Sequence, residues 1–308
     1  YFDKRPKMLL YRPEIGVVTS MEFDHADIYA DWDDYQDAFR RFARLVPDSG
    51  LLLLNGDAEP VRALADETDA EVCCVGHGEG NDVTAQNVRA DEGGQRFEVV
   101  AGEEPPFEVV LPLGGAHNRF NALAVAALAL HEGIAPADIA EAFASFKGMK
   151  RRQEVRGERG GVLVVDDFAH HPTAVAGTLR GVRERWQGRL GGGRLLAVFE
   201  PRSNSSRRKL FEAPYGEAFD AADRVFLSAP PLRHNDDPAD FLDIEAVAAV
   251  VRNRGTPAEA FEGAGALLPA LLDAARPGDL VLVMSNGSFD GLVAKLLDAL
   301  DARAPVAS

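Results

Sequence analysis

The chain is short of cysteine. Its 308 residues hold only Cys73 and Cys74, side by side in an apolar run. Neighbouring strand residues point to opposite faces, so these two are not expected to pair, and neither a disulfide framework nor a zinc-type spacing is available. A reducing, cytoplasmic location is the expectation. Long apolar runs are missing: none approaches the roughly 20 residues of a membrane span. No leader pattern is visible at Tyr1-Phe2-Asp3-Lys4-Arg5. The 29 glycines and 18 prolines have no period, which excludes collagen-like and low-complexity chains. Positive charge is in deficit, with 33 Lys and Arg against 49 Asp and Glu and a net charge of −16. That argues against a broad nucleic-acid or anionic-membrane surface but leaves room for a local basic pocket. Two nucleotide signatures are absent as well. No Gly-x-Gly-x-x-Gly follows a strand and opens a helix, which disfavours a dinucleotide oxidoreductase, and there is no Gly-x-x-Gly-Lys-Thr/Ser loop.

What is present suits a folded α/β protein. The chain is 46% hydrophobic and 27% charged, and its length suggests about two domains. Ile15 to Thr19, Leu51 to Leu54 and Glu71 to Val75 read as buried strands; Trp32 to Val46, Ala58 to Ala65, His117 to His131 and Pro136 to Phe146 read as helices. Short β-like runs between Asp82 and Pro112 predict an antiparallel appendage. A second unit starts near Lys147-Gly148-Met149, with strands at Val162 to Asp166, Leu195 to Phe199, Arg224 to Leu227 and Leu280 to Met284. Helices alternate with them at Pro172 to Trp186, Ser205 to Phe219, Ile244 to Val251, Leu267 to Ala274 and Asp290 to Leu300. This alternation implies parallel sheets with crossover helices, and the chain divides into residues 1–149 and 150–308.

In such folds, ligands bind beyond the carboxyl ends of strands. Six polar segments lie at such places or at the joint between the units. Glu22-Phe23-Asp24-His25-Ala26-Asp27 could hold a divalent cation or form a solvated acidic turn. Gly114-Gly115-Ala116-His117-Asn118-Arg119-Phe120-Asn121 puts Asn118 and Asn121 on one helix face, where two amides suit a purine edge, or cap the helix. Lys150-Arg151-Arg152 is a phosphate-binding cluster or a solvated basic turn. Asp166-Asp167-Phe168-Ala169-His170-His171-Pro172 could bind ribose hydroxyls or orient a metal; zinc is disfavoured because adjacent histidines diverge and no third ligand is evident. Glu200-Pro201-Arg202-Ser203-Asn204 is a carboxylate site or an N-capped helix. Met284-Ser285-Asn286-Gly287 could line a ligand with its backbone.

Taken in order, these segments resemble the Mur ligase family, as does Tyr1-Phe2-Asp3-Lys4-Arg5-Pro6-Lys7 ahead of them. The wording of Glu22 to Asp27, Phe199 to Asn204 and Met284 to Gly287 is most similar to members that attach the tripeptide L-Ala-γ-D-Glu-meso-diaminopimelate in peptidoglycan recycling. Members that attach single L-alanine share the His-Asn and Asp-Asp-Phe-Ala-His-His-Pro segments and are the alternative. The resemblance implies a partial central ATPase domain (1–149) followed by a complete Rossmann-like C-terminal domain (150–308). It implies ATP and Mg2+ as cofactors, and UDP-N-acetylmuramate and a murein peptide as small-molecule partners, joined through an acyl-phosphate. By position, His25 would be the metal-binding histidine. His117, Asn118 and Asn121 would lie at the adenine, and Asp166 near the ribose. Arg152, with Arg151, would reach the phosphates and act in catalysis with His25. His170, Arg202, Ser203 and Asn204 would face the peptide. The family's phosphate loop, the acidic metal-binding segment and the UDP-sugar domain have no counterpart here. The chain is therefore expected to be the C-terminal part of a longer ligase, which by itself would be a non-catalytic fragment with weak ligand binding at most.

Overall fold

The computed structural model describes residues 5–23, 28–230 and 240–303. They form two compact units, one of residues 5–23, 28–89, 95–112 and 116–146, the other of residues 90–94, 113–115, 147–230 and 240–303.

The first unit runs β1 (Ile15–Val18), α1 (Trp32–Ala43), β2 (Leu51–Asn55), α2 (Glu59–Arg62), β3 (Glu71–Val75), β4 (Val83–Asp91), β5 (Gly94–Ala101), β6 (Glu104–Leu111), α3 (Ala116–His131) and α4 (Pro136–Ser145). Its sheet keeps chain order, β1-β2-β3-β4-β5-β6. β1 to β3 pair in parallel, with Leu51 to Leu54 fully buried. Helix α1 starts where the Asp31 side chain accepts the Asp34 N–H at 2.9 Å, and it carries acids in its first turn and Arg40 and Arg41 in its last, the order the helix dipole favours. The appendage expected between Asp82 and Pro112 is not separate. β5 and β6 are antiparallel, but β4 joins β3 through Val75 and Val83, so all three strands extend the parallel sheet.

The second unit runs β7 (Glu154–Arg159), β8 (Val162–Asp167), α5 (Pro172–Arg185), α6 (Gln187–Leu190), β9 (Leu195–Glu200), α7 (Glu212–Glu217), β10 (Arg224–Ser228), α8 (Ile244–Asn253), β11 (Ala258–Phe261), α9 (Ala264–Ala274), β12 (Leu280–Ser285) and α10 (Leu292–Arg303). The strand order is β11-β10-β9-β12-β8-β7, parallel except for β7. Every residue of β8, β9 and β12 is buried. Alternate side chains enter two cores: Val165, Ala197, Phe199 and Leu282 meet α5, α7 and α8, while Val164, Val198 and Val283 meet α9 and α10. The long helix expected over Ser205 to Phe219 is broken into a 3₁₀ turn, Lys209–Phe211, and short α7. Pro214 has no N–H to continue a ladder, and Gly216 packs so tightly on Val250 that an added Cβ would lie 2.4 Å from it. Among the described residues no helix is long and apolar enough to cross a membrane.

Candidate active site

In the second sheet, β12 lies between β8 and β9, and the helices that follow β8 and β9 (α5, α7) pack on one face while the helix that follows β12 (α10) packs on the other. The crevice beyond such a switch is where open α/β sheets bind ligands. The register sets Val283 beside Asp166, Met284 beside Asp167 and Ser285 beside Glu200. Three acidic residues thus end two strands that flank a third ending in a hydroxyl.

Asp166 is buried, and its Oδ2 lies 3.2 Å from Arg156 Nη1 and 3.4 Å from Arg151 Nε. Burial lifts its pKa above the usual carboxylate range, and the two guanidiniums only partly oppose that. Arg151 also donates to the Ser285 carbonyl. A cleft of about 230 Å³ opens here, lined by Arg151, Arg156, Asp166, Ser285, Phe289 and Val293.

Arg152 sits between two residues with left-handed backbone, Arg151 (φ 57°) and Gln153 (φ 48°). The turn is fixed from several sides. Arg151 N–H donates to Glu154 Oε2 at 2.7 Å, Phe168 N–H to the Arg151 carbonyl at 2.8 Å, and Gln153 N–H to Asp167 Oδ2 at 2.8 Å. Strain held by so many bonds is the kind found at functional loops. The exposed Arg152 guanidinium lies 5.4 Å from the Phe168 ring centre and that of Arg151 5.1 Å, so one aromatic ring steadies both. Asp167 is a builder of this turn: its carboxylate also accepts the Ala169 N–H at 2.7 Å.

At the end of β9, Glu200 is 4% exposed. Its Oε2 accepts the Ser285 hydroxyl at 2.7 Å and its Oε1 accepts Arg202 Nη1 at 3.3 Å. Burial raises its pKa, while Ser285 and Arg202 work to lower it. Gly287 N–H donates to Ser285 Oγ at 3.0 Å, and a Cβ at Gly287 would lie 2.0 Å from Arg202 Cδ, so the arginine rests directly on the glycine. Asn286 Oδ1 is buried with no hydrogen-bond partner among the described residues, an acceptor that a bound N–H or water would satisfy.

Of the other expected site residues, Ser203 and Ser206 exchange reciprocal N–H to Oγ bonds of 2.9 Å, which builds the turn after Arg202 and leaves Asn204 exposed. His170 is half-buried; its Nδ1 lies 3.1 Å from the Phe168 carbonyl, and its own carbonyl accepts the Tyr215 hydroxyl. In the first unit, His117, Asn118 and Asn121 occupy the opening turns of α3, with Asn118 half-buried and the other two exposed. His25 lies outside the described residues. Among those described, no three His, Cys, Asp or Glu side chains are placed to hold a metal ion, so they do not make up a magnesium site and no step is derived through one.

Four features were missed in the sequence. Arg156 lies on β7, whose Glu-Val-Arg-Gly-Glu-Arg wording has no apolar alternation to mark a strand. Glu200 and Ser285 were visible only as neighbours of Arg202 and as backbone. The last is a turn after β2, where Asp57 accepts N–H groups of His77 at 2.6 Å and Gly78 at 2.9 Å and the Asn81 amide at 2.8 Å. The Asn55-Gly56-Asp57 wording marks a turn but says nothing of its partners.

Two family models match the chain: Mur ligase middle domain over residues 3–129, and Mur ligase, glutamate ligase domain over residues 151–287. The chain is 37% identical over 312 aligned positions to the UDP-N-acetylmuramate–L-alanyl-γ-D-glutamyl-meso-2,6-diaminoheptandioate ligase of Escherichia coli (strain K12), covering 100% of this chain and 64% of that protein. It is 34% identical over 296 positions to the UDP-N-acetylmuramate–L-alanine ligase of Desulforapulum autotrophicum, covering 95% and 63%. A crystal structure of a murein peptide ligase from Psychrobacter arcticus superposes with a TM-score of 0.68 and 26% identity, covering 99% of this chain and 61% of that one. The chain thus spans a little under two thirds of the curated relatives it matches.

Proposed function

Because the chain belongs to the Mur ligase family and matches its middle and C-terminal domains in order, we propose that it is the part of an ATP-dependent ligase that joins UDP-N-acetylmuramate to L-alanyl-γ-D-glutamyl-meso-diaminopimelate. In this reading a muramyl carboxylate oxygen attacks the γ-phosphorus of ATP and ADP leaves. The amino group of the peptide then attacks the acyl-phosphate carbonyl, phosphate leaves, and the nitrogen loses a proton to give the amide. Positioning and charge stabilisation are the main demands of such transfers. Arg151 and Arg152 take the phosphate oxygens, Asp166 the ribose, and His117, Asn118 and Asn121 the adenine. Arg202, with Ser203, Asn204 and His170, takes the peptide. His25 is assigned to the metal that would neutralise phosphate charge.

The observation that supports this most is the strand-end row of Asp166, Ser285 and Glu200, which gathers Arg151, Arg156 and Arg202 in a chain of net charge −16. Anionic reactants need such cations. A second reading, ligation of single L-alanine, is supported by the 34% identity to an alanine ligase. The intact enzyme, given UDP-N-acetylmuramate, ATP and tripeptide, is expected to release ADP only when all three are present. No ADP under any combination would overturn the tripeptide reading, release only when L-alanine replaces the tripeptide would favour the second, and equal release without an amine would overturn amide formation.

A further inference from the structure

Arg202 cannot choose its own orientation. It follows β9 in a turn, is 37% exposed as a side chain, and could adopt many rotamers if nothing held it. Two contacts hold it, and a third residue fixes both. Glu200 takes one guanidinium N–H, Gly287 leaves room for the arginine stem to lie flat on the backbone, and Ser285 locks the far oxygen of Glu200 while accepting the Gly287 N–H. The pairing of Ser285 with Glu200 in the sheet makes this lock part of the strand register. Burying a carboxylate costs stability, and here burial works against the charged form. A glutamine would fill the same space without that cost. Stability therefore does not explain the acid.

We propose that Glu200 is a positioning residue: with Ser285 and Gly287 it fixes the Arg202 guanidinium so that its remaining N–H groups meet a carboxylate of the incoming amine substrate. The inference rests on the ligase reading above. A guanidinium held on one edge presents its other edge as a fork, and a fork matches a carboxylate in two parallel bonds. Because Glu200 offsets the charge of Arg202, recognition depends on geometry more than on net attraction. An amine without a carboxylate at the right place gains little from the site.

The test uses the intact enzyme with tripeptides that each carry one carboxylate replaced by carboxamide. Glu200→Gln is expected to raise KM for the natural tripeptide about tenfold or more, the effect of losing one oriented charged contact, with kcat near normal and no loss of thermal stability. On the single analogue that lacks the carboxylate read by Arg202, wild type and variant should share one KM. Gly287→Ala displaces Arg202 without touching Glu200 and should reproduce the pattern; it decides the matter if Glu200→Gln does not fold. Unchanged KM in both variants, or a rise equal on every analogue, overturns the inference while ligation itself stands. A wild-type enzyme that releases no ADP with the tripeptide overturns the ligase reading and this inference with it.

Discussion

Two carboxylates stand at the ends of parallel strands, one in each unit, and they are used in opposite ways. Asp57, after β2, lies near the surface. Burial works to raise its pKa, but the N–H groups of His77 and Gly78 and the Asn81 amide hold it below the ordinary aspartate value. Its oxygens are so close to Gly76 that a Cβ there would come within 2.4 Å, so the loop is wrapped onto the acid. Glu200 is buried, has side-chain donors alone, and has its pKa raised. An acid saturated by backbone donors builds a loop. A buried acid bonded to an arginine and a hydroxyl spends stability to orient them.

The largest expected effect lies in the second unit. Arg152→Ala in the intact enzyme should lower kcat by about 100-fold or more, since a partner of transition-state charge is removed. A Tm close to wild type would show that the fold survives, and near-normal turnover would reassign Arg152 to structure. Asp57→Asn should do the reverse, leaving KM for the peptide alone while costing about 1 kcal/mol in a denaturant titration, a small value because the site is exposed.

The pH dependence separates the two acids further. The folded pKa of Asp57 is lowered, so its stabilisation is present above the unfolded carboxylate value and is lost as pH falls through the folded one. The advantage of wild type over Asp57→Asn should therefore shrink in acid. The folded pKa of Glu200 is raised, so its charged form destabilises at neutral pH and the fold recovers as pH falls through that value. Glu200→Gln should accordingly match or exceed wild type at neutral pH, and the gap should close in acid. Melting curves across the carboxylate range check both signs. The smallest effect concerns Cys73, where burial, with Asp82, Cys74 and Glu71 nearby, pushes the thiol to about 12. It should resist alkylation at neutral pH in the folded protein, and rapid labelling would contradict its burial.

Most strands were legible because parallel strands buried on both faces read as unbroken apolar runs, as in Leu51 to Leu54 and Leu280 to Met284. β7 was not, because an edge strand needs no apolar face and Glu154 to Arg159 has almost none. The rule that sites follow strand ends marked Asp166, Arg202 and Ser285, but only the register shows that β12 brings Ser285 to Glu200. Their separation of 85 residues hides that pair from any local reading. The helix over Ser205 to Phe219 is broken because Pro214 has no N–H to donate one turn back, so the ladder does not run on from the 3₁₀ turn into α7 despite the favourable apolar spacing.

Which amine the enzyme takes separates the two readings most directly. The deciding measurement is the ratio of kcat/KM for the tripeptide to that for L-alanine, with UDP-N-acetylmuramate and ATP saturating. Ligation of the tripeptide predicts a ratio of about 100 or more in its favour, because contacts to its second and third residues are ones L-alanine cannot make. A ratio below one would contradict it and make the chain part of an alanine ligase.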